Sequence, residues 1–229
     1  MRSKKPIFTP EVFRFFRDLA RHNRKEWMDA NRERYQECVV APFRRLLEEL
    51  TPAVLALDPR FDVGSRTGAN FSRINRDIRF AKDKTPYRAQ MYLQFRGQSP
   101  KAKEAGQLYV GLSADAVTAG FRIYAGGPRK LSPLAQIAAP RVLENPRWVA
   151  QQKKRLGRRY ESYWYSMQNG EWTKHDGWPE ESEEWKRILG WIVRRKRPPS
   201  AATHPAFTAE AARVFRELLP LYRLTSLPD

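Results

Sequence analysis

The sequence is poor in the residues that disulfide and metal chemistry require. Its 229 residues include one cysteine, Cys38, and three histidines, at positions 22, 175 and 204. A single thiol excludes an internal disulfide framework and is typical of proteins from a reducing cytosol. The histidines form no H-x-x-x-H pair, so the sequence predicts no metal site.

Several signatures of cofactor binding and membrane targeting are absent as well. Neither the G-x-x-x-x-G-K-[ST] loop nor the G-x-G-x-x-G turn of nucleotide-binding folds occurs, so we expect no cofactor. The longest apolar runs are only a few residues, which argues against a membrane span. The opening MRSKKPIFTPEVF lacks the apolar core of a signal peptide, and we expect a cytoplasmic protein.

Acidic residues are scarce relative to basic ones, 25 against 43, which gives a net charge of +18. The excess lies in three stretches, 66–101 (+7), 141–160 (+6) and 186–197 (+6). If these stretches meet in space, they form a basic surface suited to a phosphate-bearing partner. Alternatively, the charge is compositional, since 30 of the 43 cations are arginine. The sequence leaves both explanations open.

What the chain does contain is enough apolar material for a folded core. Hydrophobic residues make up 41% and aromatic residues 12%, too much for a disordered chain. No linker longer than residues 197–203 interrupts the pattern. We therefore expect a single domain over residues 1–229, although its oligomeric state is not predictable from the sequence.

Apolar residues recur at helical spacing near the amino terminus. Thr9 followed by Pro10 is typical of a helix start, with Thr9 as the cap. Asn23 followed by Glu26 predicts a second start, and Pro42 should kink or break the element that follows. The next predicted helix buries the side formed by Phe43, Leu46, Leu47 and Leu50.

The pattern then changes to a period of two, which predicts a sheet. Strands are expected at 69–75, 88–96, 107–112 and 116–124. The last two form a hairpin with a turn at Ser113-Ala-Asp115. Helices are expected again at 131–139, 141–156, 181–195 and 208–219. The aromatic residues 158–179 fit either a strand or an ordered loop. This order predicts an α+β fold, a small and mostly antiparallel sheet flanked by N- and C-terminal helices.

The densest charge lies in residues 73–88, which carry six cations and two aspartates. Apolar residues are spaced through the segment, and we expect Ile78 or Phe80 to anchor it on the core. Carboxylates among guanidinium groups should have lowered pKa values and stay ionised. Asp77 and Asp83 are therefore expected to orient neighbouring cations, or to bind a metal, rather than to act as general acids.

This segment resembles the conserved family known as domain of unknown function 2461. The family motif R-D-x-R-F-x-x-D-K-x-P-Y-K is matched here by Arg76, Asp77, Arg79, Phe80, Asp83, Lys84, Pro86, Tyr87 and, in the last position, Arg88. An upstream N-N-x-x-x-W-F element corresponds to His22-Asn23 and Trp27-Met28. A glycine-rich G-G-G-x-Y element is reduced to Gly126-Gly127-Pro128. The resemblance implies an α+β domain and carries no particular activity.

Three functional hypotheses remain open. In the first, a binding module grips a phosphate-bearing small molecule or nucleic acid. Its nucleic-acid contacts are expected at Arg155, Arg158 and Arg159. Aromatic residues interleave with basic residues over 158–165, and the aromatic rings could stack on bases. In the second, an enzyme acts on a small anionic substrate. In the third, the segment is an ion-pair network without a ligand. The candidate anion-binding residues are Arg76, Asp77, Arg79, Asp83, Lys84, Tyr87 and Arg88.

Overall fold

The computed structural model describes residues 5–98, 105–124, 134–166, 171–175 and 182–226. Its helices are α1 (Pro10–Arg21), α2 (Lys25–Ala30), α3 (Arg32–Tyr35), α4 (Ala41–Leu57), α5 (Ala139–Glu144), α6 (Pro146–Leu156), α7 (Ser182–Arg187), α8 (Pro199–Ala202) and α9 (Phe207–Thr225). A π-helical turn (Gln36–Val40) joins α3 to α4, a second (Leu134–Ala138) precedes α5, and a 3-10 turn (Gly157–Arg159) follows α6. No helix in these ranges is both long and apolar enough to cross a membrane.

Six strands form one antiparallel sheet with the order β1-β2-β3-β6-β4-β5. The strands are β1 (Gln90–Phe95), β2 (Gln107–Ser113), β3 (Val117–Tyr124), β4 (Glu161–Ser166), β5 (Trp172–His175) and β6 (Ile188–Arg197). The predicted hairpin turn is present, and Ser113 N–H donates to Ala116 O over 3.0 Å. The α+β prediction is confirmed, with helices at both ends of the chain.

The chain divides into two compact units. Unit 1 comprises Met1–Phe95, Val110–Thr118 and Arg197–Arg213. Unit 2 comprises Arg96–Tyr109, Ala119–Lys196 and Val214–Asp229. The expectation of a single domain over residues 1–229 stays a prediction.

The amino-terminal helices of unit 1 bury the predicted apolar faces. Phe43 and Leu50 are fully buried, and Phe8 packs edge-to-face on Phe43 with a centroid distance of 5.2 Å. Thr9 occupies the cap position of α1, but its side chain makes no capping hydrogen bond. Helix α1 therefore depends on Pro10 in its first turn and on burial for its stability.

Pro42 does not end the helix in which it lies. The N–H of Ala41 bonds to the carbonyl of Gln36, five residues back, so one extra residue widens the turn before α4. Pro42 then lies directly after the π turn, so the widened turn accommodates a proline, which lacks an N–H, within a continuous helical segment. The predicted disruption thus takes the form of a π turn, a feature that recurs at functional sites.

Two predicted elements are wrong. Residues 69–75 form no strand and are joined to their neighbours by isolated bridges, such as Phe71 with Leu93, and by individual hydrogen bonds. Residues 181–195 were expected to be helical, but the helix ends at Arg187 and β6 follows. Strand β6 lies between β3 and β4 and buries Ile188 to Trp191 consecutively. A strand buried on both faces has a continuous apolar run that periodicity cannot distinguish from a helix.

The remaining predictions either left two alternatives open or concern residues that lie partly outside the described ranges. The ambiguous residues 158–179 supply β4 and β5, so the strand alternative is the right one for them. The helix expected at 131–139 begins outside the described residues, and its described part is a π turn that leads into α5. The glycine-rich element at 126–128 also lies outside the described residues.

Candidate anion-binding site

Residues 76–86, which we call the motif loop, leave and rejoin unit 1 at a fixed base. Arg76 N–H donates to Pro86 O over 2.8 Å, which closes the loop. The Asn23 side chain then binds both backbone groups of Tyr87. Its Nδ2 donates to Tyr87 O over 2.8 Å, and its Oδ1 accepts from Tyr87 N–H over 3.0 Å. Asn23 thereby satisfies the backbone of the residue that ends the loop.

This contact explains why Asn23 does not begin a helix. The sequence predicts a start at Asn23, but α2 begins at Lys25 and Arg24 occupies its cap position. The amide of Asn23 is instead used for a contact 64 positions away in the chain. The two separated parts of the family motif, Asn23 and Pro86-Tyr87, therefore meet in space.

The two arginines of the motif loop pair with its two aspartates. Arg76 binds Asp83 and the hydroxyl of Thr85, and it donates to Thr85 O over 3.1 Å. Arg79 Nη2 lies 2.7 Å from Asp77 Oδ2, and its Nε lies 3.0 Å from Asp77 Oδ1. The predicted cluster therefore consists of two ion pairs, each with its own acid.

The tip of the loop is exposed rather than anchored on the core. Phe80 is 95% exposed, so it is not the expected buried anchor, and Ile78 is only half-buried. Lys84 Nζ donates to Ile78 O over 3.0 Å and lies 3.4 Å from Arg79 O, so its ammonium group holds the tip of the loop. The buried anchor is Tyr87 at the base.

The two aspartates of the loop have lowered pKa values, as the sequence predicts. The backbone N–H of Thr85, with Arg76 and the Thr85 hydroxyl, lowers the pKa of Asp83 to about 2. The side chain and backbone of Arg79 lower the pKa of Asp77. Both carboxylates are thus ionised near neutral pH and neutralise the arginines beside them.

Immediately before the motif loop, the chain lines a pocket of about 390 Å³ in unit 1. This volume is within the usual range of small-molecule sites. The lining residues are Tyr35, Val40, Arg44, Thr67, Phe71, Ser72, Arg73, Ile74, Asn75 and Met91. They comprise two cations, four neutral polar residues and four apolar residues, but no acid.

Two arginines of this pocket lack a partner. Neither Arg44 nor Arg73 forms an ion pair or a side-chain hydrogen bond within the described residues. Arg45, the neighbour of Arg44 in α4, provides a contrast. Its Nε lies 3.2 Å from Glu49 Oε1, and its Nη2 donates to Lys5 O over 3.2 Å. The two pocket guanidinium groups therefore retain their capacity to bind an anion.

A buried asparagine shapes one wall of the pocket. Asn70 is fully buried, and its Nδ2 donates to Asp62 O over 2.6 Å. Its Oδ1 accepts from Arg66 N–H over 3.2 Å, and its carbonyl accepts from Gln94 N–H over 2.7 Å. These bonds replace the ladder of a regular strand, which is why residues 69–75 form a folded loop rather than a strand.

Gly68 forms the turn that precedes Arg73, one of the two pocket arginines. Its φ of +84° lies in the left-handed region, and its N–H donates to Phe71 O over 2.6 Å. A Cβ at this position would lie 3.7 Å from Arg73 Nε. Only glycine adopts this φ without strain, so the turn over residues 68–71, which precedes Arg73 in the chain, depends on it.

The opposite wall comes from the π turn. Tyr35 is the last residue of α3 and Val40 is the last residue of the π turn, and both line the pocket. Burial raises the pKa of Tyr35 to about 12, so its phenol stays protonated and is able to donate a hydrogen bond. Pro42 is the only sequence signal that points to this wall.

The predicted nucleic-acid residues lie in unit 2. Arg155 and Arg159 are exposed, while the side chain of Arg158 lies outside the described part of the structure. Arg159 also contacts Glu217, with an Nη1–Oε1 distance of 3.7 Å.

Two of the three basic stretches meet at Glu217. Arg159 comes from the 141–160 stretch, and Arg195 from the 186–197 stretch lies 3.9 Å from Glu217 Oε2. The Tyr160 hydroxyl donates to the same carboxylate over 2.5 Å, and Arg195 lies 5.0 Å from the Tyr160 ring centroid. Part of the positive charge is therefore neutralised internally. Within the described ranges, no three His, Cys, Asp or Glu side chains are grouped to hold a metal ion.

Comparisons with known proteins give a family. A family model described as a conserved hypothetical protein, DUF2461, matches residues 11–224. A comparison with curated proteins finds no match.

Proposed function

Because the chain belongs to the DUF2461 family, whose description names no activity, we propose a function from geometry: it binds a small anionic ligand in the pocket of unit 1. The observation that carries this proposal is the pair Arg44 and Arg73, two guanidinium groups that line one pocket without an acid. A guanidinium group binds phosphate or carboxylate through two parallel N–H bonds, which favours an anion of this kind.

The remaining lining residues indicate the rest of the ligand. Ser72 and Asn75 offer polar groups, while Phe71, Ile74 and Met91 offer an apolar surface. An inorganic anion would leave this surface exposed to water, whereas a ligand with an apolar body covers it. We therefore infer a ligand with one phosphate or carboxylate group attached to an apolar or aromatic body.

Binding is favoured over catalysis by the chemistry of the lining. Among the described lining residues there is no carboxylate or histidine that could act as a general base. The nearby Cys38 is also inactive as a nucleophile, because burial raises the pKa of its thiol to about 11. An enzyme with a small anionic substrate is the second candidate, and it would need a base from elsewhere.

The motif loop receives a structural role in this proposal. Its arginines are neutralised by Asp77 and Asp83, and Lys84 is bound to backbone carbonyls, while Lys82 is an exposed side chain outside these contacts. An incoming anion would have to displace these partners. The family motif would then maintain the loop, while the ligand is bound by the segment before it.

Thermal stabilisation by phenyl phosphate tests the proposal. We expect phenyl phosphate to raise the melting temperature in a concentration-dependent way, inorganic phosphate to do so weakly and phenol not at all. Arg44→Ala and Arg73→Ala should each weaken binding about tenfold or more, because each removes hydrogen bonds to a charged group. The affinity is measured by isothermal titration calorimetry.

Arg213→Ala is the matched control, since Arg213 is an exposed arginine of unit 1 outside the pocket lining. It removes the same charge and should leave the affinity unchanged. Equal binding by the double variant Arg44→Ala/Arg73→Ala and by the unaltered protein would refute the pocket assignment. So would the absence of stabilisation by phenyl phosphate and also by benzoate, its carboxylate counterpart.

A further inference from the structure

Unit 2 carries a cluster of aromatic rings on one face of the sheet. The strand register places Tyr165 opposite Trp172 on one side and opposite Gly190 on the other, so these residues share a face. Tyr124, at the end of β3, joins them. Its ring centroid lies 5.4 Å from that of Tyr165 and 6.1 Å from that of Trp172. We call this surface the aromatic face.

The opposite face of the same strands is the core. Trp191, Trp185 and Phe121 are fully buried and pack edge-to-face, with centroid distances of 5.2 and 5.8 Å from Trp191. On the aromatic face, Tyr124 remains 50% exposed and Trp172 remains 38% exposed. Large exposed rings grouped on a rigid sheet are unusual unless they bind a partner.

Gly190 lets the rings lie against the backbone. A Cβ on Gly190 would stand 2.6 Å from the Trp172 ring and 3.0 Å from the Tyr124 ring. Any other residue here would push both rings away from the strand. The close approach keeps Tyr124 and Trp172 at fixed positions on the sheet, which reduces the entropy that a stacked partner would lose.

The aromatic face also carries positive charge. Lys174 lies opposite Tyr163 in the register, and it is exposed. Arg194 covers the Tyr163 ring at 4.4 Å and pairs with Glu161 over 3.2 Å. Lys196 follows Arg194 by two positions in β6, and thus lies on the same face, also exposed. Among the described residues of these strands, the three cations Lys174, Arg194 and Lys196 therefore outnumber Glu161 on this face.

We propose that the aromatic face binds single-stranded nucleic acid, with bases stacked on Tyr124 and Trp172 and phosphates contacted by Lys174 and Lys196. Unpaired bases expose both ring faces, and every base can stack on an aromatic side chain, so the binding needs no particular sequence. The positive charge favours a nucleic acid over a neutral sugar, which would also stack on these rings. The inference is independent of the pocket in unit 1.

Fluorescence anisotropy with a labelled single-stranded dT oligonucleotide tests this assignment on the full chain. We expect binding that weakens steeply with salt, by a log–log slope of about −0.7 for each phosphate contact. A duplex of equal length should bind more weakly, because its base faces are hidden. Trp172→Ala should weaken single-strand binding about tenfold, as expected for one lost stacking partner.

Heparin and a matched control variant distinguish binding by charge alone from binding by base stacking. Heparin, a polyanion without bases, should bind with an affinity that Trp172→Ala leaves unchanged. Leu143→Ala removes another exposed apolar side chain of unit 2 and should leave single-strand binding unchanged. If Trp172→Ala unfolds the protein, Trp172→Phe retains a ring and should bind at least half as well as the unaltered chain.

Three results would overturn the proposal. The first is equal affinity for duplex, single strand and heparin, which indicates a charge effect without stacking. The second is a single-strand affinity that Trp172→Ala does not change in a folded protein. The third is binding of a neutral oligosaccharide in place of the oligonucleotide, which identifies the rings as a sugar platform.

Discussion

The two groups of cations in unit 1 differ in what neutralises them. In the motif loop, Arg76 and Arg79 each have an aspartate of their own, and these contacts lower the pKa values of both acids. In the pocket, Arg44 and Arg73 have no acid among the described residues. The loop has the higher density of charge, but its two arginines are already paired with acids, whereas the two arginines of the pocket remain available.

This difference shows why a dense basic segment is a poor guide to a binding site. A cation contributes to recognition only to the extent that its charge is not already neutralised, and the acids of the motif loop occur at the spacing that neutralises its arginines. The absence of an ion pair at Arg44 and Arg73 among the described residues is the stronger indication. Removal of either pocket arginine should therefore weaken ligand binding, whereas alterations to the motif loop should leave ligand binding unchanged.

The largest effect on stability is expected at the pocket wall. Asn70→Ala removes a fully buried amide and leaves its partners at Asp62, Arg66 and Gln94 without it. A buried group left without a partner costs about 1–3 kcal/mol, so the free energy of unfolding should fall by about 3 kcal/mol. Urea denaturation measures this change.

Asn145→Ala is the control for Asn70→Ala, because the Asn145 amide is exposed and makes one long bond of 3.3 Å. It should change the free energy of unfolding by about 0.5 kcal/mol or less. The Asn70 variant should also lose its response to phenyl phosphate. A variant that stays stable, or that keeps the full response, would show that Asn70 does not support the pocket.

A smaller effect is expected at the base of the motif loop. Asn23→Ala removes two hydrogen bonds to Tyr87 and should lower the free energy of unfolding by about 2 kcal/mol. Asn23→Asp keeps the acceptor for the Tyr87 N–H and should lower it less. Hydrogen exchange at the Tyr87 amide should be faster in Asn23→Ala than in Asn23→Asp.

The Asn23 variants also test whether the motif loop contributes to ligand binding. If the motif loop is only structural, phenyl phosphate should bind folded Asn23→Ala with unchanged affinity. A clear loss of affinity would instead make the loop part of the binding site. The same measurement on Arg79→Ala, which alters an exposed pair away from the base, should show no change in affinity or stability.

The sequence predicts the fold better than the site. Helical spacing in residues 1–60 and alternation in β1 to β3 identify the elements, because both have one face toward the core. Strand β6 was missed because its two faces are both buried at its start, which removes the alternation. The family motif was identified from residues that are adjacent in the chain, so its charged loop was easy to find.

The pocket was not predictable in the same way. Its two arginines are 29 positions apart, and their importance lies in an absence of partners that only the folded chain reveals. Gly68 has the sequence context of an ordinary turn residue, and Asn70 lies in the stretch 69–75 that the sequence predicts as a strand. The aromatic face was partly predictable, since the interleaved rings of 158–165 were identified, but Tyr124 and Trp172 come from other strands.

The smallest effect concerns the titration of Asp83, and it tests whether the loop neutralises its own charge. The Asp83 carboxylate accepts from the Thr85 N–H and pairs with Arg76, and its pKa of about 2 lies below the ordinary value of 3.8. A lowered pKa in the folded state means that the contribution of Asp83 to stability is complete above the ordinary value. It is lost as the pH falls through about 2.

Carboxyl NMR should therefore show Asp83 titrating well below an ordinary aspartate in the folded protein, and Arg76→Ala should raise its pKa toward 3.8. An Asp83 that titrates near 3.8 in the unaltered chain would mean that Arg76 is not held by this pair. The motif loop would then offer an available arginine, and the distinction between the arginines of the loop and those of the pocket would be lost.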